Sequence, residues 1–72
     1  MFELGEAVRP SESYLARPNR HKWLEAGSLG RVTAYAAAQL FRGEHVGAVD
    51  VLWPDTGMTT TMRWDQLRRA YE

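Results

Sequence analysis

The stretch GAVDVLWPDTGMTTTMRW, residues 47–64, constrains the fold of this chain more than any other. Two β-prone runs flank Pro54, Asp55, Thr56 and Gly57, a quartet of turn formers. Closing that turn sets Trp53 opposite Met58, Val51 opposite Thr60 and Val49 opposite Met62. Strand side chains alternate between faces, so Val49, Val51, Trp53, Met58, Met62 and Trp64 share one side, with Thr60 among them. Ala48, Asp50, Leu52, Thr59, Thr61 and Arg63 take the other side, where Asp50 and Arg63 are diagonal neighbours. One apolar face and one mostly polar face describe a half-buried antiparallel pair. A slip of one residue would turn both tryptophans to solvent, so the pattern specifies its own register.

The rest of the chain supplies shorter strands. LGEAVRP, residues 4–10, reads as a strand ended by Pro10, and GSLGRVTAY, residues 27–35, as a strand with a glycine-rich lead-in. Residues 36–42 are rich in helix formers, and Gly43 is placed to end a helix, so the sequence predicts a short helical segment near 36–42. Seven residues are too few for a helix that stands without packing. Asp65, Gln66 and Leu67 read as a tight turn of 3₁₀ type, and RRAYE as a last short strand. The expected order is five short strands with a long first connection, residues 11–27.

A chain of 72 residues is one domain, 1–72, near the lower limit for a core that folds without disulfides or metals. It has no Cys, hence no disulfide and no thiolate metal site, which fits a reducing compartment. Apolar residues make up 44% and charged residues 25%, ordinary for a globular domain. No apolar run is long enough to span a membrane, and the first residues show no basic region followed by an apolar stretch. The expectation is a cytoplasmic protein. Lys and Arg number 9 against 9 for Asp and Glu, and this zero balance argues against a protein that lives on phosphate.

The segments LGEAVRP, GSLGRV, VDVLWPDTG and RWDQL together resemble the first strand, second strand, distal hairpin and closing turn of an SH3-like barrel of the KOW or Mib/Herc type. The resemblance implies a mainly β, five-stranded small barrel. It departs from that pattern at 11–26 and 36–45, where the connections are long. Fold resemblance implies no single function. A five-stranded barrel fills its interior with its own side chains, so any site is expected on loops. Small reductases on SH3-like barrels carry Gln-Ile-Tyr in a late strand, whereas this chain reads TTTMRW there.

No phosphate-binding glycine loop or nucleophile elbow occurs. Neither His21 nor His45 has a ligand-like spacing to partners, so no metal, no cofactor and no catalytic residue is expected. What remains is RPNRHKW, residues 17–23, a basic and aromatic run within the long connection. Three readings apply: a solvated loop, an interface for a protein partner, or phosphate contact to nucleic acid. Arg and Trp dominate protein hot spots, and loops on rigid scaffolds carry binding residues. The neighbouring Glu3, Glu6, Glu12 and Glu25 would repel phosphate. The expected partner-binding residues are therefore Tyr14, Arg17, Arg20, His21, Lys22 and Trp23, with Arg63, Arg68 and Arg69 as a secondary basic patch. Trp23 either anchors the loop or offers a stacking surface. The expectation is a non-catalytic binding module, a stand-alone accessory or inhibitor protein of the kind phages encode. A KOW-like nucleic-acid binder is the alternative, and edge strands leave pairing with a second copy open.

Overall fold

The computed structural model describes residues 2–71. Five strands form a single antiparallel sheet: β1 (Ala7–Pro10), β2 (Gly30–Phe41), β3 (Glu44–Trp53), β4 (Met58–Arg63) and β5 (Leu67–Arg69). A single helical turn, α1 (Glu12–Leu15), lies in the first connection, and a 3₁₀ turn (Trp64–Gln66) joins β4 to β5. The sheet order is β4-β3-β2-β1-β5, and the sheet is not closed. None of the described helices is long and apolar enough to cross a membrane.

The β3–β4 hairpin has the register its sequence dictates, with Val49↔Met62, Val51↔Thr60 and Trp53↔Met58. Val49, Val51, Trp53 and Met62 are buried with Val8, Leu24 and Val32 in one core cluster. Burying side chains of this size is worth about 1.5–3 kcal/mol each. Thr60 sits among them because the Trp53 indole N–H donates to its Oγ1 at 2.8 Å, which satisfies a buried donor. Met58, at the hairpin mouth, is half exposed. Asp50 takes the hydroxyl of Thr61 at 2.7 Å, while Arg63 pairs instead with Asp65. Ala48, expected on the polar face, is 3% exposed; its cross-strand neighbours are Ala36 and Arg63.

Two glycines let side chains lie flat on the sheet. A Cβ at Gly47 would stand 2.5 Å from the Trp64 indole, and one at Gly30 would meet Val51 at 2.5 Å and Trp53 at 2.8 Å. Trp64 thereby packs against the core from the 3₁₀ turn rather than from β4.

The helical segment expected near 36–42 is absent, and β2 runs on to Phe41. Pairing with β3 overrides the helix propensity of these residues: Ala36↔Ala48, Gln39↔Val46, Leu40↔His45 and Phe41↔Glu44. The ladder shifts between Ala36 and Gln39, as a bulge does when one strand carries extra residues. Gly43 does adopt a positive φ of 80°, and Arg42 before it adopts 52°. Two successive positive φ values are those of a two-residue type I′ hairpin turn. The glycine signal was real but marked a hairpin, not a helix end.

Candidate functional site

The first connection, residues 11–29, is folded onto the sheet at both ends. Ser11 caps α1, its Oγ accepting from the Tyr14 backbone N–H at 3.3 Å and donating to the Asp65 carbonyl at 2.8 Å. The Ser11 N–H donates to the Gln66 carbonyl at 2.9 Å, so α1 is tied to the 3₁₀ turn. At the far end, Arg9 of β1 donates to the Gly27 carbonyl at 2.7 Å and Arg68 of β5 to the Ala26 carbonyl at 3.5 Å. Glu25 and Ser28 close a local turn, with the Glu25 N–H on the Ser28 Oγ at 2.9 Å and the Ser28 N–H on the Glu25 carbonyl at 2.9 Å.

Between these anchors the expected binding residues divide into two sets. Tyr14 is only 6% exposed and belongs to the core cluster, so it offers no free stacking face. Its hydroxyl accepts the His21 backbone N–H at 2.9 Å and thereby fixes the loop crest. Arg20 is half-buried, and its guanidinium donates to the carbonyls of Leu24 and His21, bracing the loop from within. Leu24 is fully buried below it. Arg17, His21 and Lys22 are exposed. Trp23 lies between the two alternatives posed by its sequence context: it is half-buried, packs against the core, and stacks with the His21 ring at 5.3 Å between centroids and 29° between planes.

Two cavities flank this crest. One of about 400 Å³ lies between Arg17, Asn19, Arg20 and His21 on the loop and Thr59, Thr60 and Thr61 on β4, a strand at one end of the sheet order. The other, about 430 Å³, is bounded by Trp23, Leu24, Glu25 and Leu29 together with Trp53 and Asp55.

The C-terminal arginines are dispersed. Arg69 pairs with Glu6 at 2.6 Å and lies 5.1 Å over the Phe2 ring, and Arg68 reaches Ala26. Arg63 is on a different part of the surface, bound by Asp65 at 2.9 and 3.2 Å and laid 4.0 Å over the Phe41 ring. The hydrogen bond from Arg63 holds the Asp65 carboxyl below its ordinary value, against a partial desolvation, and the charges of Arg63 and Arg17 act in the same direction. Arg17 and Arg63 line one cavity with Phe41 and Arg42, two residues the sequence reading passed over. The signal for them was the Arg-Gly dipeptide between two β-prone runs, a hairpin pattern in which Arg stands where Asn is usual. Among the described residues, no three of His, Cys, Asp or Glu gather where a metal could be held.

Compared with known proteins, the chain matches no family model, and no curated protein and no solved structure is significantly similar to it.

Proposed function

We propose that this protein is a non-catalytic binding module on an SH3-like scaffold, contacting a protein partner through the 14–23 loop. The observation that carries this reading is the loop's construction. Tyr14, Arg20 and Leu24 are committed to holding its shape, while Arg17, His21 and Lys22 are turned outward beside a half-exposed Trp23. Side chains ordered before contact lose less entropy when a partner binds. A plain solvated loop has no need of a buried tyrosine, an internal guanidinium brace and anchors to β1, β5 and the 3₁₀ turn. The SH3-like reading is supported by the element order: a long first connection, a tight hairpin between β3 and β4, and a 3₁₀ turn before the last short strand.

Affinity capture from native lysate, with and without nuclease, tests the proposal. The expected result is a protein retained despite nuclease and lost with Lys22→Ala or Trp23→Ala, circular dichroism confirming that each variant is folded. Retention of nucleic acid instead, with binding that falls steeply with log salt, would reverse the assignment in favour of phosphate contact.

A further inference from the structure

The cavity between α1, the tip of the β2–β3 hairpin and the 3₁₀ turn has a volume of about 490 Å³. Arg17, Arg42 and Arg63 line it, with Ser13, Phe41 and Asp65. Three cations therefore meet one carboxylate. Asp65 is engaged by Arg63 in a two-point ion pair, whereas among the described residues Arg17 and Arg42 have no carboxylate within ion-pair distance. Both are exposed. The cavity lining thus has an excess of two positive charges and includes Phe41, whose ring has Arg63 at 4.0 Å and Arg42 at 5.1 Å.

Arg42 supplies a second, independent observation. It occupies the first position of a type I′ turn at φ 52°. Left-handed backbone is disfavoured for a residue with a Cβ and a long side chain, and Asn or Gly fills this position at lower cost. Strain of this kind gathers at binding sites, where the surrounding structure holds it in place. Here it places a guanidinium beside two others.

We propose that this cavity binds an acidic side chain of a partner protein, its oxyanion held between the guanidinium groups of Arg17 and Arg42. The proposal deepens the protein-partner reading and rests on it, because Arg17 belongs to both sites. An acidic peptide suits the surroundings better than a nucleic-acid strand. Glu44 is the cross-strand partner of Phe41, Glu12 adjoins Ser13, and both are exposed. A lone carboxylate group fits between them, while a run of phosphates would be repelled on leaving the cavity. Guanidinium groups bind such oxyanions with paired, charge-assisted hydrogen bonds.

The test is calorimetric titration of the full chain with an acetylated peptide amide carrying one glutamate among glycines, with its glutamine counterpart and a short single-stranded oligonucleotide as controls. Arg42→Asn is expected to melt at a higher temperature than the parent and to bind the glutamate peptide about tenfold or more weakly. Arg17→Ala, at an exposed loop position, is expected to weaken it similarly, while Arg31→Ala, an exposed arginine at the opposite end of β2 from Phe41, leaves it unchanged. No binding by the parent, equal binding of the glutamine peptide, preference for the oligonucleotide, or full binding by Arg42→Asn and Arg17→Ala would each overturn the proposal. A captured partner lost only with Lys22→Ala and Trp23→Ala, and retained by Arg42→Asn, would overturn this site while leaving the loop reading intact.

Discussion

Strand β3 takes part in two hairpins of different construction. Toward β4 it pairs in unbroken register from Ala48↔Arg63 to Trp53↔Met58. Toward β2 it pairs from Arg31↔Leu52 to Phe41↔Glu44, but the ladder shifts once between Val32 and Ala34 and again between Ala36 and Gln39. The first hairpin buries Val49, Val51, Trp53 and Met62. The outer half of the second leaves Tyr35 56% and Leu40 68% exposed. Strict alternation of apolar and polar residues yields a rigid ladder whose register is fixed by burial. Where alternation gives way to a run of alanines, no face is compelled inward and bulges are tolerated. The irregular hairpin is also the one that delivers Phe41 and Arg42 to the proposed anion site.

The sharpest way to break this contrast is to truncate one aromatic in each hairpin. Trp53→Ala is expected to cost about 3–5 kcal/mol, which for so small a domain approaches its whole stability. Tyr35→Ala, on the exposed arm, is expected to stay within about 0.5 kcal/mol. Urea unfolding followed by far-ultraviolet circular dichroism measures both. Comparable losses would mean that the arm is as much a part of the core as the distal hairpin.

A smaller change probes why the regular hairpin tolerates a hydroxyl on its buried face. Thr60→Val preserves shape but removes the acceptor for the Trp53 indole N–H. A donor left buried and unpaired costs about 1–3 kcal/mol. A loss in that range, together with a changed Trp fluorescence spectrum, is expected. Unchanged stability would show that the hydrogen bond is incidental to the packing.

The irregular hairpin is better tested by the sign of an effect than by its size. Ala38 is exposed and lies within the register shift of β2. In a strand, Ala38→Val is expected to be neutral or to stabilise by up to about 1 kcal/mol, because β-branched residues suit extended backbone. Thermal melts decide it. Destabilisation would indicate that these alanines keep a helical preference in solution.

The same contrast explains what the sequence revealed. Val49, Val51 and Trp53 alternate, and Pro54–Gly57 can only turn, so their partners across the hairpin followed from counting. The 3₁₀ turn was also open to reading, since turn residues act locally, whereas α1 and its Ser11 cap lay unread within the long first connection. Residues 36–42 misled because composition speaks for helix, whereas pairing with β3 depends on residues distant in the chain. The binding loop was legible as a basic, aromatic run. Its internal division was not: that Tyr14 and Arg20 brace while His21 and Lys22 face outward depends on hydrogen bonds to backbone groups several residues away. Arg17, Arg42 and Arg63 are far apart in sequence and meet only because α1 docks on the 3₁₀ turn beside the hairpin tip.

The smallest expected effect concerns Asp65, which stands where these two regions meet. Its carboxyl is held below the ordinary value of 3.8 chiefly by the hydrogen bond from Arg63. A carboxyl more acidic in the folded state than in the unfolded one contributes stability that is complete above the unfolded pKa. That contribution is lost as pH falls through the lower, folded pKa. Asp65→Asn is therefore expected to lower the melting temperature slightly near neutral pH, with the gap to the parent closing below about pH 4. The side chain of Asp65 is 37% exposed, so solvent screening keeps the gap small. Added salt should shrink it further if it is electrostatic. A gap that persists unchanged in acid would mean that Asp65 acts through the geometry of the 3₁₀ turn rather than through its charge. Releasing Arg63 from its carboxylate should at the same time raise the affinity of the cavity for the glutamate peptide, so the same variant weighs the cost of holding Arg63 in place against its use to a ligand.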